Sequence, residues 1–173
     1  GLESGSDRIL TNIKKRATRE ENTRCVDIAR RNGLKVKALM SIGHPGESRE
    51  TLNDTQTWLL ENRPDDFDVT IITPYPGSPY YDNAVFDGEA WVYTYPLTGD
   101  NLYAKEVDYF KTADYYKGDP NGGYQSYVWT DTLSPEMLVQ ERDRLERHVR
   151  QSLEIPFNPS APAIRFEHSM GQK

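Results

Sequence analysis

Three short segments carry the side chains that could meet a ligand. The first, Gly1-Leu2-Glu3-Ser4-Gly5-Ser6, sets a carboxylate and a hydroxyl in a glycine-flanked turn. The two oxygens of a carboxylate match a vicinal diol such as that of a ribose; the plainer role for Glu3 is a cap on the next turn. The second, Gly43-His44-Pro45-Gly46-Glu47-Ser48, has glycines that let backbone approach a ligand and a helix start that favours anions. An ordinary strand-to-helix turn explains the same residues, with Glu47 in the first helical turn and His44 facing solvent. The third, Pro74-Tyr75-Pro76-Gly77-Ser78-Pro79-Tyr80-Tyr81, is held extended by its prolines. It suits the wall of a nucleoside pocket, or a rigid exit loop. The three histidines stand in no metal-ligand spacing. The one cysteine, Cys25, lies in a helical pattern and reads as a small buried hydrophobe. One thiol makes neither an internal disulfide nor a metal cage. No phosphate loop or nucleophile elbow occurs, so neither a catalytic residue nor a metal ligand is assigned.

These segments need elements to position them. The pattern predicts helices over 7–16 and 18–32, the second opened by the capping-box pattern Thr18-Arg19-Glu20-Glu21 and stopped at Gly33. A largely apolar run over 34–42 predicts a strand buried on both faces, as in parallel sheets. A helix over 48–62 follows, with Leu52, Thr55 and Leu59 inward. A β-branched strand over 67–73 completes a βαβ unit. The second and third segments then stand at carboxyl ends of parallel strands, where ligands bind. The strand that Glu3 would end must precede Gly1.

Beyond residue 84 the texture changes. Residues 91–95 and 124–129 alternate weakly, like edge strands or hairpins. The tyrosines and tryptophans there suit core more than a substrate pocket. Ser134 and Pro135 open a helix over 134–153, with Leu138, Leu145, Val149 and Leu153 inward and Glu141, Arg142, Arg144, Glu146 and Arg147 largely in solvent. The proline-bearing tail over 156–173 reads as a strap or as disordered chain.

The 173 residues suffice for a real core. A net charge of −6 argues against a nucleic-acid surface. No apolar stretch approaches the ~20 residues of a membrane span. The solitary thiol fits a cytoplasmic protein.

Taken in order, the motifs resemble radical S-adenosylmethionine enzymes. The resemblance rests on Gly1-Leu2-Glu3-Ser4-Gly5-Ser6-Asp7, Leu10, Ile13-Lys14-Lys15, Thr18, Ala29-Arg30, Gly33-Leu34, Gly43-His44-Pro45-Gly46-Glu47-Ser48 and Thr51. The segment from Pro74 to Tyr81 resembles the branch whose members often carry a cobalamin-binding domain upstream. The likeness covers residues 1–84, about half the chain. Residues 85–173 correspond to that branch's variable C-terminal region.

The resemblance implies an α/β fold: the C-terminal part of a partial (β/α) TIM-like barrel, then an aromatic-rich segment of short strands and a long helix. In such enzymes a 4Fe–4S cluster, held by three cysteines, reductively cleaves S-adenosylmethionine to start radical chemistry. Glu3, with Ser4 beside it, matches the polar position that meets the ribose. Lys15 matches a basic position that meets the methionine carboxylate. Ile42 and Gly43 match a strand-end motif near the adenine, and Tyr75 and Pro76 match the next strand end, which walls it. An apolar residue is more usual in place of His44. The cysteines of the pattern Cys-x-x-x-Cys-x-x-Cys do not occur. The parent's N-terminal half would supply them and be the partner of this piece, alone inactive. The parent's small-molecule substrate stays open, and cobalamin is a further cofactor the branch allows. A sheet cut at residue 1 exposes an edge, so a homodimer, or a shield from residues 90–130, is expected. Two alternatives stand beside this reading: a half-barrel that binds without chemistry, and an unrelated βα domain using Glu47 or His44.

Overall fold

A computed structural model describes residues 1–106 and 125–156 of the chain. The 156–173 tail beyond Pro156, and Tyr124 of the second hairpin, lie outside the described residues.

Local sequence explains most elements. Helix α1 (Asp7–Asn12) is shorter than its apolar spacing suggests, because Lys14 and Arg16 both adopt left-handed backbone. Helix α2 (Arg19–Arg31) opens on the expected box: Thr18 accepts from the Glu21 amide and Glu21 answers the Thr18 amide. Strand β1 (Lys37–Ile42) leads through the second corner to α3 (Arg49–Asn62), where Ser48 and Thr51 form a second box. Strand β2 (Asp66–Ile71) returns parallel to β1, in register from Lys37 opposite Asp66 to Ile42 opposite Ile71.

The β1–β2 pair is the unit that places the corners. Glu3 adds an isolated parallel bridge to Met40. The amides of Leu2 and Glu3 donate to the Leu39 carbonyl, and the Ser41 amide donates to the Glu3 carbonyl. A third parallel segment therefore flanks β1, and all three corners issue from one edge.

The expectation that β1 is buried on both faces is corrected. Ala38, Met40 and Ile42 are buried, whereas Lys37 and Leu39 are exposed and Ser41 is half-buried. Strand alternation sends the two sets to opposite faces, and the packed helices cover one of them only.

After the short α4 (Pro79–Asp82) comes a four-stranded antiparallel sheet in the order β3 (Val85–Phe86), β4 (Trp91–Thr94), β5 (Asn101–Ala104), β6 (Val128–Thr130). The fold is thus mixed α/β, with a parallel pair and a separate antiparallel sheet, and among the described residues no closed barrel. Tyr93, Tyr95, Leu102 and Val128 join Met40, Trp58, Phe67 and Val69 in one core cluster. Tyr103 and Trp129 instead stack on each other, ring centres 5.6 Å apart.

Helix α5 (Pro135–Leu153) starts at the Ser134 cap, as expected, and packs on α3 and β2. Two of its charged residues overturn the solvent assignment, since Arg142 and Glu146 are buried. Arg142 Nε donates to the Val69 carbonyl and Arg150 Nη2 to the Phe67 carbonyl, at 3.0 and 2.8 Å. Arginines of α5 thus take backbone acceptors of β2, one way of blunting an open strand edge. Among the described residues no helix is long and apolar enough to cross a membrane.

Candidate functional site

Glu3 stands at the carboxyl edge of the parallel segments with φ at 67°, inside the left-handed region. Its side chain is partly buried. Oε1 accepts from Lys15 Nζ at 3.1 Å and Oε2 from Ser41 Oγ at 2.9 Å. Burial works against ionisation of this carboxyl, but the hydrogen bonds from Ser41 and Lys15 and the charge of Lys15 outweigh it and hold its pKa below the ordinary value.

Backbone strain gathers around this pair. Among the described residues, the non-glycine positions with positive φ are Glu3, Lys14, Arg16, Arg63 and Glu154. The last two are ordinary left-handed helix C-caps. The other three are Glu3 and the two neighbours of Lys15. A non-glycine residue in such a conformation costs roughly 1–3 kcal/mol, and such residues concentrate at functional sites.

Ser41 extends the cluster to the second corner, and His44 extends it to the third. His44 Nε2 lies 2.8 Å from Ser41 Oγ, and its Nδ1 lies 3.2 Å from the Tyr80 hydroxyl. His44 is buried, which corrects the expectation of a solvent-facing turn histidine. Burial pushes its pKa down to about 4, against the opposing pull of the Glu3 carboxylate. The imidazole is therefore neutral near pH 7. The Tyr80 ring packs on Tyr93, ring centres 5.0 Å apart.

Glu47 lies deeper, 1% exposed. Its carboxyl meets the Gly43 amide and the Thr51 hydroxyl. Burial raises its pKa from 4.5 to about 7, against those hydrogen bonds. Valence agrees with the protonated form. Thr51 Oγ1 accepts from the Ser48 amide and also lies 3.0 Å from the Ser48 carbonyl. Its single proton cannot serve that carbonyl and an ionised Glu47 together, whereas a protonated Glu47 donates to Thr51 and frees that proton.

A pH dependence follows. Folded Glu47 binds its proton more tightly than unfolded Glu47, so the folded state holds the extra proton between about pH 4.5 and 7. Stability falls as pH rises through that window and levels off above it, by about 3 kcal/mol in all. Urea denaturation of the protein and its Glu47→Gln variant at pH 5 and pH 8 checks this. The variant should lose that part of the slope; parallel curves would refute the assignment.

The structure brings some expected residues together and leaves others apart. Glu3 and Lys15 meet directly. Ser4 does not join them; its hydroxyl is buried 3.1 Å from Thr55 Oγ1 of α3. Ile42 is core. Gly43 has φ at 88°, and a Cβ there would lie 3.2 Å from Val128 and 3.4 Å from Ile71, so that side is closed by core side chains. At Gly46 the anion is one of the chain's own: a Cβ would lie 2.6 Å from Asp100, whose carboxylate also takes Asn12 and Arg8. Tyr75 and Pro76 are exposed. Cys25 is exposed on α2, not buried, because Asn22 and Val26, four residues apart, define the inward stripe of that helix.

Sequence reasoning passed over Ser41, Tyr80 and the buried state of His44. Ser41 could have been found from β1 alternation, since it shares a face with exposed Leu39. Tyr80 lies within the third motif, but its contact with His44 had no signal in spacing. Behind Tyr80 opens a cavity of about 80 Å³ lined by Pro74, Tyr80, Tyr81, Ala84, Trp91, Ala104, Lys105 and Glu106. Its walls are largely aromatic or apolar, a surface for a flat apolar group.

Over 76 residues the chain is 34% identical to a protein named as a methylthiotransferase in Methanocaldococcus jannaschii, covering 44% of this chain and 17% of that protein. Over 85 residues it is 35% identical to a protein named as an uncharacterized methyltransferase in Pyrococcus horikoshii, covering 49% and 18%. Over 102 residues it is 28% identical to the anaerobic magnesium-protoporphyrin IX monomethyl ester cyclase of Rubrivivax gelatinosus, covering 56% and 18%. The chain thus matches less than a fifth of each relative's length. No protein-family model matches it.

Proposed function

We propose that this chain is part of a radical S-adenosylmethionine enzyme and supplies the ribose- and adenine-facing side of its cofactor site, within the later strands of a partial barrel. The observation that carries this reading is the Glu3 carboxylate, held on left-handed backbone at the carboxyl edge of three parallel segments and joined through Ser41 and His44 to both later corners. The relatives' names support it, since methylthiotransferase, methyltransferase and anaerobic cyclase are names of the radical S-adenosylmethionine type.

The residues present fit the adenosyl part of that cofactor. Glu3 is ionised, and each of its oxygens makes one hydrogen bond to Lys15 or Ser41, leaving lone pairs for two ribose hydroxyls. Lys15 is one-third exposed and moves to the methionine carboxylate. Tyr75, 40% exposed, supplies an aromatic side chain for the adenine. The iron–sulfur cluster does not fit this chain. The sequence has one cysteine, and the described residues hold no group of three His, Cys, Asp or Glu that could bind a metal. In our reading the cluster is held by the partner half of the parent, and the whole enzyme works in the reducing cytoplasm. The cofactor supplies the parent's capacity for hydrogen abstraction; this chain binds and orients it. The aromatic cavity beside Tyr80 belongs to the substrate side.

Adenosine and 2′-deoxyadenosine, titrated into the labelled protein and followed by NMR shift changes, test the reading. Adenosine should perturb Glu3, Ser41 and Lys15, and 2′-deoxyadenosine should bind more weakly. Glu3→Ala should weaken adenosine by about 10- to 100-fold, the range for hydrogen bonds to a charged group. Equal binding of the two nucleosides, or binding indifferent to Glu3, would remove the assignment.

A further inference from the structure

His44 makes no hydrogen bond to Glu3, yet it is two hydrogen bonds from the carboxylate. Ser41 Oγ lies 2.9 Å from Glu3 Oε2 and 2.8 Å from His44 Nε2. His44 Nδ1 lies 3.2 Å from the Tyr80 hydroxyl. Valence orders this chain. An ionised carboxylate only accepts, so the Ser41 proton goes to Glu3. Ser41 can then only accept from His44, so Nε2 carries the ring proton. A neutral imidazole protonated at Nε2 presents a lone pair at Nδ1, and the Tyr80 hydroxyl fills it. Donation therefore runs in one direction, from Tyr80 through His44 and Ser41 to Glu3, with no group used twice in the same sense.

We infer that His44 is a positioning residue: Tyr80 holds it as the Nε2–H tautomer, and His44 in turn fixes the Ser41 hydroxyl that orients the Glu3 carboxylate. The backbone of Glu3 is already set by its bonds to Leu39 and Ser41. What remains free is the carboxylate rotation. Lys15 constrains it weakly, because an ammonium is a flexible point charge without directional preference. A hydroxyl mounted on β1, with its proton direction dictated from behind, constrains it strongly. The aromatic contact of Tyr80 with Tyr93 keeps the far end of the chain in place. Through Tyr80 the relay also reaches the aromatic cavity, which shares that side chain as a wall.

The inference rests on the reading of Glu3 as the ribose ligand only for its purpose; the orientation itself is measurable without ligand. Long-range nitrogen–proton NMR of the full chain should show His44 neutral and protonated at Nε2. In His44→Phe and Tyr80→Phe the Glu3 carboxylate carbon should shift away from its wild-type position, though neither residue contacts it. His44→Gln, which keeps a donor at the place of Nε2, should restore it. Melting temperatures serve as the folding control, and Tyr80→Phe, the loss of one oxygen, keeps the test open if His44→Phe does not fold. An Nδ1–H tautomer, an imidazolium at pH 7, or an unmoved Glu3 signal in folded Tyr80→Phe would overturn the inference. Where wild type binds adenosine, His44→Phe should weaken it about tenfold by releasing a charged hydrogen bond, and His44→Gln should recover it. Wild type that ignores adenosine while the tautomer and Glu3 shifts hold would sink the functional reading and leave the positioning role intact.

Discussion

Replacing Glu146 by alanine is expected to lower the unfolding free energy by about 3–5 kcal/mol, the usual cost of breaking a buried ion pair. Glu146 is 5% exposed and stands between two buried arginines of the same helix. Its Oε2 lies 2.7 Å from Arg142 Nη2, and its Oε1 lies 3.4 Å from Arg150 Nε. Arg142 also reaches Asp143, and Arg150 reaches Asp66 and packs over the Phe67 ring at 4.8 Å. The variant would leave two buried guanidinium groups beside each other, balanced only by the more exposed carboxylates of Asp143 and Asp66. Replacing all three residues by apolar ones of similar volume can be neutral elsewhere. Here it would not be, because Arg142 and Arg150 also serve the Val69 and Phe67 carbonyls. Each acceptor left buried and unpaired costs roughly 1–3 kcal/mol. Salt screens buried pairs little, so the loss should persist in 1 M sodium chloride. Arg144, 44% exposed against Glu141, gives the contrast: Arg144→Ala should cost at most ~1 kcal/mol. Chemical denaturation of both variants decides it, and a Glu146→Ala loss as small as that of Arg144→Ala would refute the buried-ladder account.

The misreading of that ladder shows where pattern reading fails. Positions 138, 142, 145 and 149 recur at helical spacing, so Arg142 lies on the same inward stripe as Leu138, Leu145 and Val149. Residue type argued for solvent and period argued for core, and period won because β2 offered carbonyls to the guanidinium groups. At β1 period won again, this time against burial. Leu39 suggested a doubly buried strand, but alternation with Lys37 and Ser41 described the observed faces better. The capping box at Thr18 and the Ser134 cap were legible because each is a local interaction among four residues, whereas the box at Ser48 was passed over because Thr51 stands where a Glu or Gln is usual. The two-residue β3 is too short to carry a period, and the sheet is completed by β6 pairing with β5 from Ala104 to Val128, a distance that spacing does not encode.

The site divides the same way. Glu3 and Lys15 were legible as a carboxylate and a cation in matching motifs, and they meet. Ser4 shares its motif with Glu3, yet neighbouring side chains point to different surroundings, and its hydroxyl is spent on docking the corner to α3. His44 and Tyr80 lie thirty-six residues apart. Each was quoted within a motif, but only the folded parallel edge brings the Tyr80 hydroxyl to His44 Nδ1. The burial that raises the Glu47 pKa likewise depends on packing by Thr130 of β6 and Thr132 just beyond it, whose hydroxyls donate to its backbone carbonyl.

Removing the Trp58 side chain is expected to cost about 3–5 kcal/mol, the range for truncating a buried large aromatic residue. Trp58 is fully buried, and its indole donates to Thr23 of α2 at 2.9 Å. It is also the floor under the first corner. A Cβ at Gly5 would lie 2.6 Å from Trp58 Cβ and 2.8 Å from Thr55 Cα, so the corner rests directly on α3. The Gly5 amide donates to Thr55, and Arg19 bridges the Gly5 and Asp54 carbonyls. Trp58→Phe keeps most of the buried surface but loses the indole donor, so roughly 1–2 kcal/mol is expected for it. Urea denaturation should rank wild type, Trp58→Phe and Trp58→Ala in that order, and a Trp58→Ala cost under ~1 kcal/mol would contradict the packing described. Hydrogen exchange separates global from local effects. In Trp58→Ala the α2 amides around Thr23 should lose protection beyond the change in global stability, because the indole that packs there and donates to Thr23 is gone. The amides of β2, held by β1 and the α5 arginines, should follow the global change alone. Glu3 lies two residues from Gly5, so the Trp58 Cβ and the Thr55 backbone that carry Gly5 also fix where the Glu3 corner sits on α3.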